Sequence, residues 1–442
     1  MGSHPVKRLR IAIVGSGISG LAVAHTLKGQ ADVTLFEAGD YFGGHTHTVD
    51  ITLPTPQGTI THGVDTGFLV FNERTYPNLI ELFTRLDVKT AMSDMSFSVK
   101  VPGGRGGNQA LEWSGSSLNS VFAQRGNLLN WKFLRMLRDI MRFNRITSAL
   151  ATVNADADAD MLQPLGDFLE AQKFSAEFRD WYFLPMMGCI WSCPTDQMLQ
   201  FPVATMIRFC YNHGLIQVAN RPQWWTVAGG ARHYVDKIIA DISDKRLNTP
   251  VRLVERDADG VRIVTRGGVE RFDKVVLAAH SDQSLAMLRD ATAAEQQVLG
   301  AIRYQSNHAV LHTDASVLPQ KKLAWAAWNY ERARYADRES TQVCLHYLLN
   351  MLQPLPFAQP VVVSLNPLQK IARSHIMGEF DYAHPVFDLA AIRAQAQLPS
   401  LQGMQNTYFC GAWTGYGFHE DGLKSGLQVA RQLLVEFAGA EV

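Results

Sequence analysis

Four consecutive apolar residues, Ile11 to Val14, run into Gly15-Ser16-Gly17-Ile18-Ser19-Gly20, after which Leu21, Ala24 and Leu27 recur at helical spacing up to Gly29. A short apolar run bounded by glycine reads as a strand buried on both faces of a parallel sheet. Glycines at this spacing, between a strand and a helix, make the turn that cradles a dinucleotide pyrophosphate. Gly15 permits the tight turn, Gly17 lets the backbone approach the phosphates, and Gly20 lets helix and strand pack closely. The positive end of the helix, with Ser19 in its first turn, faces the phosphates. A second strand, Val33 to Phe36, finishes at Glu37-Ala38, 17 residues beyond Gly20. A carboxylate at that place accepts hydrogen bonds from both hydroxyls of an adenosine ribose and disfavours a 2′-phosphate.

The chain has 442 residues, enough for two intertwined lobes, and its 47% apolar and 19% charged residues suit a chain that folds throughout. Lysine plus arginine equals aspartate plus glutamate at 41 each, so no global field attracts nucleic acid. The five cysteines are scattered in apolar surroundings and read as reduced, buried thiols. Cys189 and Cys193 lack a second Cys/His pair at zinc spacing, so no metal is assigned. Met1 to His4 looks like an expression-tag remnant, and Ile11 to Val14 is too short for a signal sequence or a membrane span. The expectation is a soluble cytoplasmic protein, at most peripheral at the inner face of a membrane.

After Glu37 comes Ala38-Gly39-Asp40-Tyr41-Phe42-Gly43-Gly44-His45-Thr46, with a glycine pair that simple nicotinamide dehydrogenases usually lack. This resembles the signature of the flavin-containing amine oxidase superfamily, which includes phytoene desaturase-like and protoporphyrinogen oxidase-like enzymes. Further blocks agree in order. Trp225 to Gly230 precedes a helix, Asn248 to Val251 opens a hairpin, and Asp273 to Ala279 is a buried strand. Thr407 to Trp413 is followed by Gly417 to Gly426, and Leu423, Leu427, Ala430, Leu434 and Phe437 then form the apolar stripe of a helix beginning near Gly422.

The resemblance spans nearly the whole chain. It implies noncovalent FAD on a Rossmann-type α/β domain assembled from residues 5–100, 224–290 and 399–442, interleaved with an α+β substrate domain of residues 101–223 and 291–398. The cofactor contacts it implies, beyond the glycine turn, are Gly43, Gly44, His45 and Thr46, then Asp65, Thr66, Gly67 and Phe68. Val251 would meet the adenine through its backbone. Gly411 and Ala412, with Asp421, Gly422 and Leu423 at the last helix start, would lie at the flavin, where helix N–H groups stabilise negative charge on the reduced ring. His45 stands where the superfamily frequently has arginine. Asp65 would fix a loop beside the ring, and Glu420 and Asp421 would cap the helix.

In the second lobe, Trp131 to Arg145 carries Lys132, Arg135, Arg138, Arg142 and Arg145, with Leu134, Leu137 and Met141 on another side. This is a basic amphipathic helix, which either packs on its own domain or lies on an anionic membrane surface. Asp156, Asp158 and Asp160 read as a turn and helix start, not as a calcium loop. The aromatic residues of Trp181 to Trp191 and Trp224-Trp225 suit a core, with a dry tunnel to the flavin as the alternative.

A flavin oxidises by accepting a hydride, so the protein positions the donor and excludes water. Amine oxidases of the superfamily often carry a lysine near the flavin and aromatic residues around the amine. Here Asn307 falls near the lysine position and His419 near one cage aromatic, which makes these two the catalytic candidates. Phe380 to Pro385 offers no counterpart to the cysteine that links flavin covalently in some members. Gly43 to Thr48, Gly63 to Phe68 and Gly417 to Gly422 are most similar to a bacterial subgroup encoded beside cyclopropane-fatty-acyl synthase-like methyltransferases. That subgroup implies a hydrophobic or acyl-lipid substrate, desaturated or oxidised. The alternatives are an amine oxidase and a non-catalytic FAD-binding partner of a lipid methyltransferase.

Overall fold

In the computed structural model, the apolar runs flanking the glycine turn do form one parallel sheet. Its strands are β1 (Arg10–Val14), β2 (Asp32–Phe36), β3 (Asp244–Arg246), β4 (Lys274–Leu277) and β5 (Thr407–Phe409), in the order β3-β2-β1-β4-β5. All four pairings are parallel. Ile11, Ala12 and Ile13 have no exposed surface because layers cover both faces. Helix α1 (Ile18–Thr26) and helix α2 (His419–Ala440) pack on each other beside this sheet. The sheet is thus an α/β unit drawn from three separated stretches of chain. The structure describes residues 8–104, 109–151, 163–216, 221–333 and 343–440. Met1 to His4, residues 5–7 at the start of the first domain segment, and Asp156, Asp158 and Asp160 lie outside them.

A second, seven-stranded sheet is formed by Ile376–Val386, Arg303–His312, Val362–Leu365, Cys344–Leu348, Trp328–Glu331, Phe97–Val101 and Leu111–Ser114, in that spatial order. Phe97–Val101 pairs in this sheet, so the second lobe's strands begin before residue 101. The segment after Val251 is a three-stranded meander, Leu253–Asp257, Gly260–Thr265 and Gly268–Phe272. All five cysteines are buried and free.

Three expectations need correction. The last helix starts at His419, three residues before Gly422, because the Asp421 carboxylate reaches back to accept from the backbone N–H of Phe418 (3.0 Å) and of Tyr416 (3.1 Å). Glu420 caps a different helix: it accepts from Asn78 N and Nδ2 and from Leu79 N, at the start of Pro77–Arg85. The basic helix runs from Trp131 to Ala151, and its packed side carries Phe133, Met136 and Phe143. Leu134 and Met141 are exposed. At 100° per residue they share the solvent face with Arg138 and Arg145.

Candidate active site

Between the two sheets lies one cavity of about 670 Å³, walled by the glycine turn at one end and by strands of the second sheet at the other. Local sequence builds the first end. Gly20 is in contact with the turn: a Cβ there would stand 2.0 Å from the Gly15 carbonyl oxygen. Gly43, at φ +123°, folds its loop back so that its N–H donates to the Ser16 carbonyl (3.1 Å). Glu37 accepts from the Ser16 N–H (3.0 Å) and the Gly39 N–H (2.8 Å), fixing its carboxylate at the cavity wall.

Gly15, Gly17, Ser19, Glu37 and Ala38 line this end, and Val251 with it. Gly43, Gly44 and His45 continue the wall, followed by Thr66, Gly67 and Phe68. Gly411, Ala412 and His419 close it from the C-terminal side. Gly20, Thr46, Asp65, Asn307, Asp421, Gly422 and Leu423 are not on the wall. Gly422 instead seats α2 against α1, where a Cβ would stand 2.8 Å from Ile18 Cγ2, and Leu423 is core.

The off-wall polar residues act through neighbours. Thr46 hydrogen-bonds the Tyr234 hydroxyl (2.5 Å), which hydrogen-bonds His419 Nε2 (2.7 Å). The His419 ring stacks on Phe68 with centroids 3.9 Å apart. Asp65 accepts from Thr48 Oγ1 (2.5 Å), Ala231 N (2.9 Å) and Gln353 Nε2 (2.5 Å), tying the chain before Thr66 to two distant segments. Burial pushes its carboxyl up to about 6 despite these bonds, and burial does the same to Asp421.

Asn307 donates from Nδ2 to Ser192 O (3.1 Å) and to His384 Nδ1 (3.0 Å), while its Oδ1 accepts from Asn366 Nδ2 (2.7 Å). His384 Nδ1 must therefore accept, which leaves its Nε2 as the N–H donor. His384 lines the cavity, so Asn307 orients the ring of a histidine that sequence reasoning did not single out. Tyr382, two residues earlier on the same strand, was missed too. The signal available was the alternation of Phe380, Tyr382 and His384 along an extended segment. His45 lies 5.2 Å from the Tyr382 ring and 5.6 Å from the His384 ring. His280, stacked 4.3 Å from Tyr304, completes the group.

Burial holds these imidazoles neutral. It pushes His45 and His419 down to about 3 and His384 to about 4, and lowers His280 as well. Among the described residues lining the cavity there is no lysine or arginine, and Glu37 is the one carboxylate. The single His/Cys/Glu group among the described residues with metal-like spacing, Glu331, Cys344 and His346, is off the wall, and Lys100 pairs with Glu331 at 2.8 Å.

Residues 18–434 match the family model of flavin containing amine oxidoreductases. The chain belongs to that family and is a flavin-dependent oxidoreductase. Three solved structures share its fold. A fatty acid isomerase from P. acnes that produces CLA is 18% identical, with a TM-score of 0.66 over 97% of this chain and 99% of that one. Putrescine oxidase bound to putrescine is 15% identical, with a TM-score of 0.65 over 97% and 99%. Cyclohexylamine oxidase from Brevibacterium oxydans IH-35A is 16% identical, with a TM-score of 0.64 over 96% and 99%. No curated protein matches the sequence.

A flavin on a dinucleotide cradle is FAD, and the residues present fit it. A Cβ at Gly17 would meet no protein atom within 4 Å, so the wall there leaves open space where a pyrophosphate approaches the start of α1. His45 Nε2, further along the wall, is buried without a hydrogen-bond partner and is a polar atom that a ligand can satisfy.

Proposed function

We propose that the chain oxidises a hydrophobic substrate, of which a fatty acyl chain in a lipid is the best fit, and that FAD is held without a covalent link. The observation that carries this reading is the charge inventory of the cavity. Among the described residues it has no lysine or arginine, its one carboxylate is engaged at the ribose end, and its histidines are neutral. An ammonium substrate would find no counter-ion beyond Glu37, whereas an alkyl chain loses nothing by entering. Phe209, Trp224, Trp328, Tyr347 and Leu365 supply the apolar wall away from the glycine turn. The same fold serves a fatty acid isomerase.

When bound, FAD supplies hydride acceptance. The chain's own contribution is positioning. The start of α2 reaches the wall through Gly417, Phe418 and His419, held there by the Gly417 N–H donating to Ala412 O and the Phe418 N–H to the Asp421 carboxylate. Asn307 orients the His384 N–H, and the Tyr234 hydroxyl holds the His419 ring against Phe68. Cys189, a thiol on the wall, is pushed well up by burial, which disfavours the thiolate that a covalent link requires.

The test is anaerobic bleaching of the flavin absorbance with acyl lipids and, in parallel, with mono- and polyamines. Bleaching by acyl lipids alone is expected, and heat precipitation should leave the yellow colour in solution. Bleaching by an amine would replace this reading with amine oxidation. No bleaching, with a methyltransferase co-purifying, would make the chain a non-catalytic partner.

A further inference from the structure

Six of the eleven large hydrophobic side chains exposed among the described residues fall within 24 positions: Leu118, Leu128, Leu129, Trp131, Leu134 and Met141. Leu129 is 92% and Leu118 81% exposed, so neither side chain packs on the core. On the helix Trp131–Ala151, the exposed residues Trp131, Leu134, Arg138, Met141 and Arg145 fall within about 80° of its circumference at 100° per residue. The turn Arg125–Leu129 leads into this helix and contacts it, so exposed Leu128 and Leu129 adjoin the Trp131 end of the stripe. Helix Leu118–Val121 abuts the turn Lys322–Ala324, which adds exposed Leu323 with Lys321 and Lys322 beside it.

The charge on this surface has one sign. Between Trp113 and Ala151 the chain carries six basic residues and a single acid, Asp139, which is buried. Arg135 is paired with Glu177, and Arg142 lies over the Phe174 ring and donates to Gln172 O. Lys132, Arg138 and Arg145 are exposed, Arg138 at 75% although its guanidinium is 3.5 Å from Asp139. The helix packs on Val203–Asn212, whose Phe209 forms part of the cavity wall, so one helix separates this surface from the site.

We propose that this face is a docking surface for an anionic lipid bilayer, with Leu128, Leu129, Trp131, Leu134 and Met141 entering the headgroup boundary and Arg138 and Arg145 meeting the lipid phosphates. Apolar side chains interspersed with cations on one face of a helix, without an exposed carboxylate, complement a negatively charged membrane surface. Among the described residues no helix is long and apolar enough to cross a membrane, so the contact is interfacial. The proposal goes beyond the substrate reading and stands on different residues.

The experiment is flotation of the full-length holoprotein with vesicles of phosphatidylcholine alone and with about 30% phosphatidylglycerol. Preferential flotation with the anionic vesicles is expected, weakening as salt is raised. Arg138→Gln with Arg145→Gln should lower the partition coefficient on anionic vesicles by about 30-fold. Leu129→Ser with Trp131→Ser and Met141→Ser should lower it by at least about 10-fold. Flavin content and the thermal midpoint, measured on every variant, show that the fold is intact. Equal behaviour on both vesicle types, or variants that float like the parent, would overturn the proposal. So would a dimer that the serine variant converts to monomer, since a second copy would then be the occupant. Flavin bleaching by detergent-dispersed acyl lipid reads the catalytic proposal separately.

Discussion

Gly17→Val separates cofactor binding from folding more cleanly than any other change in the glycine turn. Gly17 precedes α1 with φ −62° and ψ 173°, an extended conformation that valine adopts readily. A Cβ there meets no protein atom within 4 Å, so the apoprotein should lose no more than about 1 kcal/mol, the usual scale for changing a helix N-cap. The same side chain stands where the pyrophosphate must approach. An overlap that packing cannot relieve costs about 1–3 kcal/mol, which raises the dissociation constant for FAD by about 5- to 150-fold. Titrating the apoprotein with FAD and following flavin fluorescence measures that loss, while circular dichroism and the thermal midpoint of the FAD-free forms measure the fold. Gly20→Ala is the contrasting control: its Cβ would stand 2.0 Å from the Gly15 carbonyl oxygen, so the fold itself should suffer. Normal FAD affinity in folded Gly17→Val would refute the placement of the phosphates, and collapse of its apoprotein would refute the open space at Gly17.

Asp65→Asn should destabilise the protein by about 2–4 kcal/mol in urea unfolding, because an amide nitrogen would face the donors Gln353 Nε2 and Ala231 N. The difference from the parent should shrink below pH 6, where the parent carboxyl, pushed up to about 6, takes a proton. Acid should destabilise the apoprotein: His45, His384 and His419 have folded values of about 3 to 4, so the stability they contribute is present above about 6.5 and is lost as pH falls. Each costs up to about 1.4 kcal/mol per pH unit in that window. Asp65 and Asp421, raised by burial, act in the opposite sense and stabilise as pH falls through 6, but they are outnumbered; a thermal midpoint that rises from pH 6.5 to pH 4.5 would contradict this balance. Asn307→Ala should leave FAD affinity unchanged and slow flavin reduction on the order of 10-fold, by freeing the tautomer of His384. A wild-type rate and pH profile would make Asn307 scaffold only.

What could be read from the sequence was local in the chain. The strand, glycine turn, helix and Glu37 lie within 28 residues, and each glycine's spacing carries its own steric reason. The same holds for Gly43-Gly44, since that loop meets Ser16 from only 27 residues along the chain. Asp421 shows the limit of such reading: the acid was visible, but that it reaches back to Phe418 and moves the helix start to His419 depends on which backbone N–H the carboxylate finds. The basic helix was legible in extent and charge, yet placing Leu134 and Met141 on its solvent face required angles rather than composition. The group around His45 was beyond local reading. His384 reaches it from a strand paired with Arg303–His312, and its tautomer is set by Asn307, 77 residues away in the chain. Tyr234 supports His419 across 185 residues. Such contacts follow from strand register and helix packing, which a motif does not contain. Residues that bind through backbone are therefore the ones a sequence reveals, whereas residues that act through a defined N–H or hydroxyl appear only when the sheets are assembled. This explains why Asn307, picked as a reacting group by its position, lies one side chain away from the cavity wall, bonded to His384.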